Sequence, residues 1–317
     1  MPPSNSGSSS ASVLHRVGLA GAAARFYQRS YAGDYLALGF LAIGWLLIQV
    51  FVNPFHRMFS LDNKSIQYPF AVHERVPVVM SVIYAGVIPF VIILSWSAMF
   101  RSGVQKTQVT VLGLLVALML TSFLTDVIKN AVGRPRPDLL SRCKPSRGTA
   151  DNVLVAWTVC TESNQHILQE GWRSFPSGHS SFSFSGLGYL SLFFCGQMHV
   201  IRPWADLGRC LLAFFPLLCA ALVAISRLDD YRHDVWDVTC GALLGMLISW
   251  FSYRRYYPAL RSVRCDAPYD KSELAGLEGF HRLDDEEQAI LRPYSSREGP
   301  GLEESYPLEH TEIPGAA

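Results

Sequence analysis

The sequence predicts an all-α, polytopic membrane protein, with six transmembrane helices in a bundle and a polar cluster at one membrane face. Three observations predict it. Half of the 317 residues are hydrophobic and the mean hydropathy is positive. Charged residues make up 17% of the chain, against about 25% in soluble domains. Six apolar stretches approach or reach the ~17–25 residues that cross a bilayer as a helix.

These stretches are 35–52, 76–99, 109–128, 180–198, 207–225 and 235–253. Inside lipid the backbone must satisfy its own hydrogen bonds, so each is read as a helix. Pro89 and Pro216 fall inside two of them and are expected to kink them. The fourth is the least apolar, rich in Ser and Gly, which predicts a helix packed inside the bundle at close contacts. Met1–Ser12 is polar and Ser-rich, so the first apolar run is expected to serve as an uncleaved signal anchor. Residues 1–33 form a polar cytoplasmic segment, 34–255 the membrane domain, and 256–317 an acidic, disordered cytoplasmic tail. From Cys265 onward there are 13 acidic and 4 basic residues, so the remaining body carries a net +10. Its cations lie between apolar spans rather than on one exposed stripe, which suits anion handling at a membrane better than nucleic-acid binding, so no nucleic-acid partner is expected. Cys195, Cys210, Cys219 and Cys240 lie in apolar runs and read as small core hydrophobes.

Six spans leave both termini on one side and put 53–75, 129–179 and 226–234 together on the other. Arg16, Arg25 and Arg29 before the first span, and Arg254, Arg255, Arg261 and Arg264 after the last, favour cytoplasmic termini. Loop 129–179 is also basic, and its charges are discounted if they serve a site.

Three polar clusters share the opposite face. In "KNAVGRPRPD", Lys129–Asp138, two prolines end the helix and fix an extended path that holds the basic side chains at the membrane surface. In "FPSGHSS", Phe175–Ser181, Ser177 can cap a helix starting near Gly178. Gly178 lets its backbone approach an anion, and the helix N-terminus offers free N–H groups and a positive dipole end. His179 stands beside that anion. In "SRLDDYRHDVWD", Ser226–Asp237, Arg227 ends the fifth span. His233 and Asp237 are four apart and share a helix face, so the carboxylate can hold one ring nitrogen. Asp229, Asp230 and Asp234 are taken as solvated loop charges, and Arg134 as secondary. Two imidazoles, a carboxylate, several cations and a helix N-terminus together fit phosphoryl transfer. The residues alone leave open which histidine attacks, although the i+4 carboxylate favours His233.

Lys129, Arg136-Pro137, Pro176-Ser177-Gly178-His179, Ser226-Arg227, His233 and Asp237 resemble the three-part signature of the type 2 phosphatidic acid phosphatase (lipid phosphate phosphatase) superfamily. The stretch "GRPRPDLLSRC" and the long third loop are most similar to its eukaryotic branch, fungal diacylglycerol pyrophosphate phosphatases in particular. The resemblance covers roughly residues 30–255. It implies an enzyme that hydrolyses phosphatidate, diacylglycerol pyrophosphate or lysophosphatidate through a phosphohistidine. His233 would be the nucleophile, His179 the acid and base, and Asp237 its orienter. Lys129, Arg136, Ser177, Gly178 and Arg227 would hold the phosphate. It also implies no cofactor and no divalent metal. The expected partners are phospholipid substrate and bilayer lipids, and no protein partner is singled out. Rival readings are a lipid phosphotransferase, a metal-dependent phosphatase with His179, His233 and Asp237 as ligands, a non-catalytic lipid-binding protein, and a transporter of phosphate-bearing solutes, against which the lack of paired discontinuous helices counts.

Loops 129–179 and 226–237 would then face a lumen or the cell exterior, in a vacuolar, Golgi, endoplasmic reticulum or plasma membrane. Cys143 and Cys160 share one such loop, where oxidation is permitted and a bridge is expected. Asn63-Lys64-Ser65 is a glycosylation sequon on the same side.

Overall fold

The computed structural model describes residues 30–269, apart from 204. The N-terminal segment up to residue 29 and the acidic tail from residue 270, including "LDDEEQAIL", lie outside the described residues. The helices are α1 (Ala32–Phe51), α2 (Val78–Met99), α3 (Val104–Val132), α4 (Leu139–Cys143), α5 (Gln165–Glu170), α6 (Gly178–Gln197), α7 (Leu207–Asp229) and α8 (Val235–Tyr256). Among the described residues there is no β-strand, only isolated antiparallel bridges at Phe59–Val155 and Pro145–Cys160.

Five helices, α1, α2, α3, α7 and α8, are both long and apolar enough to cross a membrane. The sixth expected span, α6, has the length: its 20 residues rise about 30 Å. It falls short in hydropathy for a physical reason. Fifteen of its residues are buried against α2, α3, α7 and α8, so protein rather than lipid surrounds it. Its serines bond to those neighbours: Ser181 with Thr125 at 2.8 Å, Ser185 with Thr121 at 3.0 Å, and Ser191 to the Ala213 carbonyl at 2.7 Å.

Small residues let the backbones approach. A Cβ on Gly245 of α8 would stand 2.2 Å from the Ser181 carbonyl oxygen, and one on Gly241 2.6 Å from that of Ser177. This seats α8 directly against the start of α6. Pro89 acts similarly from α2. It has no N–H for the Ala85 carbonyl four residues earlier, and a π turn at Ile83–Val87 precedes it. The freed Ala85 oxygen points at Gly186, where a Cβ would lie 1.7 Å away. α7 continues as one helix through Pro216. α1 has no buried residue and docks on α3, where Asp126 accepts from Trp45 Nε1 and Gln49 Nε2, each at 2.7 Å.

The connecting segments pack over one end of the bundle. α3 ends on Gly133, whose φ of 56° is left-handed and whose missing Cβ makes room for the Phe55 carbonyl 1.8 Å from that position. Phe59, Ile66, Leu139, Cys143, Leu168 and Trp172 form a second apolar core there. Cys143 and Cys160 are disulfide-bonded. The Trp172 indole donates to the Arg57 carbonyl at 2.9 Å, and Tyr68 N–H to the Pro137 carbonyl at 3.0 Å. Segments 53–77, 133–177 and 230–234 thus share one face, as the span count requires.

Candidate active site

The site is built around the first turn of α6. Ser177 is the N-cap: its Oγ accepts from Ser180 N–H at 3.4 Å, and its own N–H donates to the Asp237 carbonyl at 2.9 Å. Helix geometry leaves the first amides of α6 without carbonyl partners inside the helix, at the positive end of its dipole. Lys129 arrives from the last turn of α3, and its Nζ lies 2.8 Å from where a Gly178 Cβ would be. Glycine here is therefore the condition for a buried ammonium group over a helix N-terminus. Lys129 makes no ion pair among the described residues.

The two imidazoles come to this point from different elements. His179 occupies the first turn of α6, and His233 the turn between α7 and α8. His179 lies within electrostatic reach of Arg227, His233, Lys129 and Arg136, and His233 within reach of Arg136, Lys129 and Asp237. His179 Nε2, His233 Nδ1 and Arg136 Nε are buried, and none has a hydrogen-bond partner among the described residues. Buried polar atoms are seldom left so, and three of them here converge with Lys129.

Asp237 departs from the simplest expectation. His233 Nδ1 is 3.8 Å from Asp237 Oδ2, beyond hydrogen-bond distance. That oxygen is already engaged by Ser174 Oγ at 2.5 Å and Asp234 N–H at 3.0 Å. Oδ1 takes Arg134 Nη1 at 2.7 Å. The i+4 carboxylate therefore faces His233 as a charge held by three other donors. Burial foremost, with the positive charges of Arg136 and Lys129, pushes His233 down to about 3 against the opposing pull of Asp237. The ring is neutral at physiological pH.

The arginines are held by carboxylates the sequence did not reveal. Arg136 Nη2 pairs with Glu170 at 2.8 Å. Burial alone would raise the Glu170 carboxyl, but Arg136, Arg173 and Lys129 outweigh it and hold it at about 2. Arg227 Nη1 pairs with Glu74 at 2.8 Å and Nη2 with Asp230 at 2.9 Å. Arg134 bridges Asp237 and Asp234, each at 2.7 Å. The reading of the acidic turn as solvated charge is corrected at Asp230 and holds for Asp229 and Asp234, which stay partly exposed. Asp230 is buried against Arg227, and Asp234 caps α8 in a capping box with Asp237. Asp229 is exposed and pairs with Arg75. Glu74 and Glu170 carry no spacing signal in the sequence. Ser174 lay at the edge of the second cluster, one residue from its first Phe.

A cavity of about 480 Å³ opens beside His233, lined among others by Arg134, Asp234, Tyr68, Tyr231 and Leu228. Among the described residues, no three His, Cys, Asp or Glu side chains are grouped to hold a metal ion. Asn63 is exposed on the same face and caps a short turn, its Oδ1 accepting from Ser65 N–H at 3.0 Å.

Comparison with known proteins identifies the family. Residues 110–261 match the family described as the PAP2 superfamily, a span that includes all three clusters. Diacylglycerol pyrophosphate phosphatase 1 of Saccharomyces cerevisiae is 42% identical over 68% of this chain and 78% of its own. The Schizosaccharomyces pombe protein named probable diacylglycerol pyrophosphate phosphatase 1 is 36% identical over 76% of this chain and 86% of its own. Lipid phosphate phosphatase 2 of Arabidopsis thaliana is 36% identical over 74% and 79%. With its signature side chains gathered at the head of one buried helix and these relatives aligned over most of their length, the chain belongs to the PAP2 superfamily.

Proposed function

We propose that this protein is an integral-membrane lipid phosphate phosphatase that removes the terminal phosphate of phosphatidate, diacylglycerol pyrophosphate or lysophosphatidate. The carrying observation is the Lys129 ammonium over Gly178 at the N-terminus of α6, with His179 and His233 in electrostatic contact beside it. A tetrahedral dianion meets cations and backbone donors there without their needing to reorganise.

In the first half-reaction His233 Nε2 attacks phosphorus. The bond to the leaving oxygen breaks, and that oxygen takes a proton from His179. Asp237 faces Nδ1 and offsets the charge that develops on the ring. In the second half, His179 takes a proton from water as the water oxygen attacks phosphorus. The N–P bond breaks, and inorganic phosphate leaves both histidines as they began. Lys129, Arg136, Arg227, Ser177 and the Gly178 amide hold the non-bridging oxygens, Lys129 as a point charge and the arginines through directed N–H groups. These cations take the role a divalent ion fills elsewhere, so no metal is required.

The membrane domain spans about residues 34–255, with cytoplasmic termini and the site facing a lumen or the exterior. The Cys143–Cys160 bond supports an oxidising side for these loops, and a glycan on Asn63 would place that loop there independently. The test is phosphate release from each lipid by detergent-purified protein in the presence of a chelator. Wild type is expected to release phosphate and His233→Ala to release none; equal release by both contradicts the mechanism.

A further inference from the structure

One side chain outside all three clusters reaches the phosphate-binding arginine from far away in sequence. Glu74 lies in the segment between α1 and α2, 153 residues before Arg227. Its Oε2 accepts from Arg227 Nη1 at 2.8 Å and its Oε1 from Arg232 Nη2 at 3.0 Å. Among the described residues it is the one carboxylate paired with both guanidinium groups. Arg227 is 1% exposed, so its direction is set by its partners rather than by water.

The rest of the segment is fastened to the same turn. Arg75 N–H donates to Asp230 Oδ2 at 3.0 Å, the Arg75 side chain pairs with Asp229, and Arg232 Nη2 donates to the Ala71 carbonyl at 3.0 Å. Segment 71–75 therefore straps the turn 227–232, which leads straight into His233. Behind it, Arg232 stacks on Phe70 at 4.6 Å, and Arg142 stacks on the same ring. Asp230 holds Arg227 from three residues away on its own helix end, and reaches the strap only through the Arg75 amide. Glu74 grips the Arg227 guanidinium itself from another part of the chain.

We propose that Glu74 is a positioning residue for phosphoryl transfer: it aims Arg227 at the equatorial oxygens and, through Arg232, fixes the turn that presents His233. The inference rests on the phosphatase reading above. Glu74 touches no substrate. A carboxylate in this place keeps the arginine's remaining N–H groups directed at the site while preventing the guanidinium from following any anion that enters. Its loss costs alignment in the transition state more than affinity for the ground state, and misplacement near a reacting centre costs up to about 100-fold.

The test uses full-length protein in detergent, wild type, Glu74→Gln and Glu74→Ala. It measures phosphate release from phosphatidate, binding of orthovanadate as a mimic of the pentacoordinate state, binding of inorganic phosphate, and thermal unfolding. For Glu74→Gln the expected result is a fall of about 10- to 100-fold in kcat and a parallel loss of vanadate affinity. KM and phosphate affinity should change by less than about threefold, with the unfolding midpoint unmoved. Glu74→Ala should lose more of the same. Wild-type kcat and vanadate affinity in Glu74→Gln would overturn the proposal. So would a kcat loss that merely follows the folded fraction while each folded molecule binds vanadate normally. A wild type that neither releases phosphate nor binds vanadate removes the phosphatase reading itself, and this inference with it.

Discussion

Arg134 and Asp237, 103 residues apart, meet at 2.7 Å through Nη1 and Oδ1. Asp237 is wholly buried, and with Ser174 and the Asp234 amide on its other oxygen its position is fixed before any substrate arrives. The arginine of the first cluster thus orients the carboxylate of the third, which faces His233. Arg134→Gln should reduce kcat by about 10- to 100-fold while changing KM much less, because the group acts on the imidazole rather than on the phosphate. Steady-state kinetics on a micelle-dispersed lipid phosphate measure this. A rise in KM at constant kcat would mean that Arg134 binds substrate directly.

Two glycines should respond differently to the same added methyl group. At Gly178 the new Cβ meets the far end of a flexible side chain, Lys129 Nζ at 2.8 Å; at Gly245 it meets backbone, the Ser181 carbonyl at 2.2 Å. Gly178→Ala should fold with a near-normal unfolding midpoint but lose at least about tenfold in kcat/KM, since the displaced ammonium no longer covers the helix N-terminus. Gly245→Ala should lower the midpoint or fail to accumulate, because two helix backbones must separate. Thermal unfolding and activity measured on both variants separate the two effects.

Much of this was legible from the chain. Five spans announce themselves by apolar length alone, and α6 was recognisable as an interior helix because Ser and Gly replace Leu along it. The three clusters could be assigned to one face by counting spans, without any side-chain geometry. The counter-charges were not legible. Glu74, Glu170 and Asp126 stand alone in their stretches, and nothing about a single carboxylate tells which guanidinium it will meet across the fold. Asp230 looked like a solvent-facing loop charge because local sequence cannot show that Arg75 N–H and Arg227 close over it. The His233–Asp237 spacing predicted proximity correctly. It could not show that Ser174 and Arg134 would claim the carboxylate oxygens and leave the imidazole at 3.8 Å.

The neutral state of His233 has a pH signature. Its folded value of about 3 lies below the ordinary 6.5. Between those values the unfolded chain binds a proton that the folded one does not, so its contribution to stability is present above about pH 6.5 and is lost as pH falls toward 3. Glu170, depressed from 4.5 to about 2, has the same sign in a lower window. In protein carrying labelled histidine, the His233 ring nitrogens, assigned by comparison with His233→Asn, should keep neutral-imidazole shifts at pH 5. That variant should also show a shallower loss of stability between pH 6.5 and 4.5. A His233 signal that titrates near 6.5 would contradict the buried, cation-flanked environment.

The bridge between Cys143 and Cys160, 17 residues apart, closes the loop that follows Arg142. Loop-closure entropy assigns such a link about 3 kcal/mol. Cys143→Ser should lower the unfolding midpoint and make the loop a preferred site of proteolysis. Added reductant should do the same to wild type and nothing further to the variant.

The most direct test of the central claim is to trap the covalent intermediate. Enzyme mixed with lipid carrying a labelled terminal phosphate, quenched in alkali within milliseconds and digested, should yield an acid-labile phosphohistidine on the peptide containing His233. His233→Asn should yield none, and His179→Asn should form it more slowly or fail to discharge it. Label found on His179, or hydrolysis proceeding at the wild-type rate with no phosphorylated histidine at any time, would contradict the account.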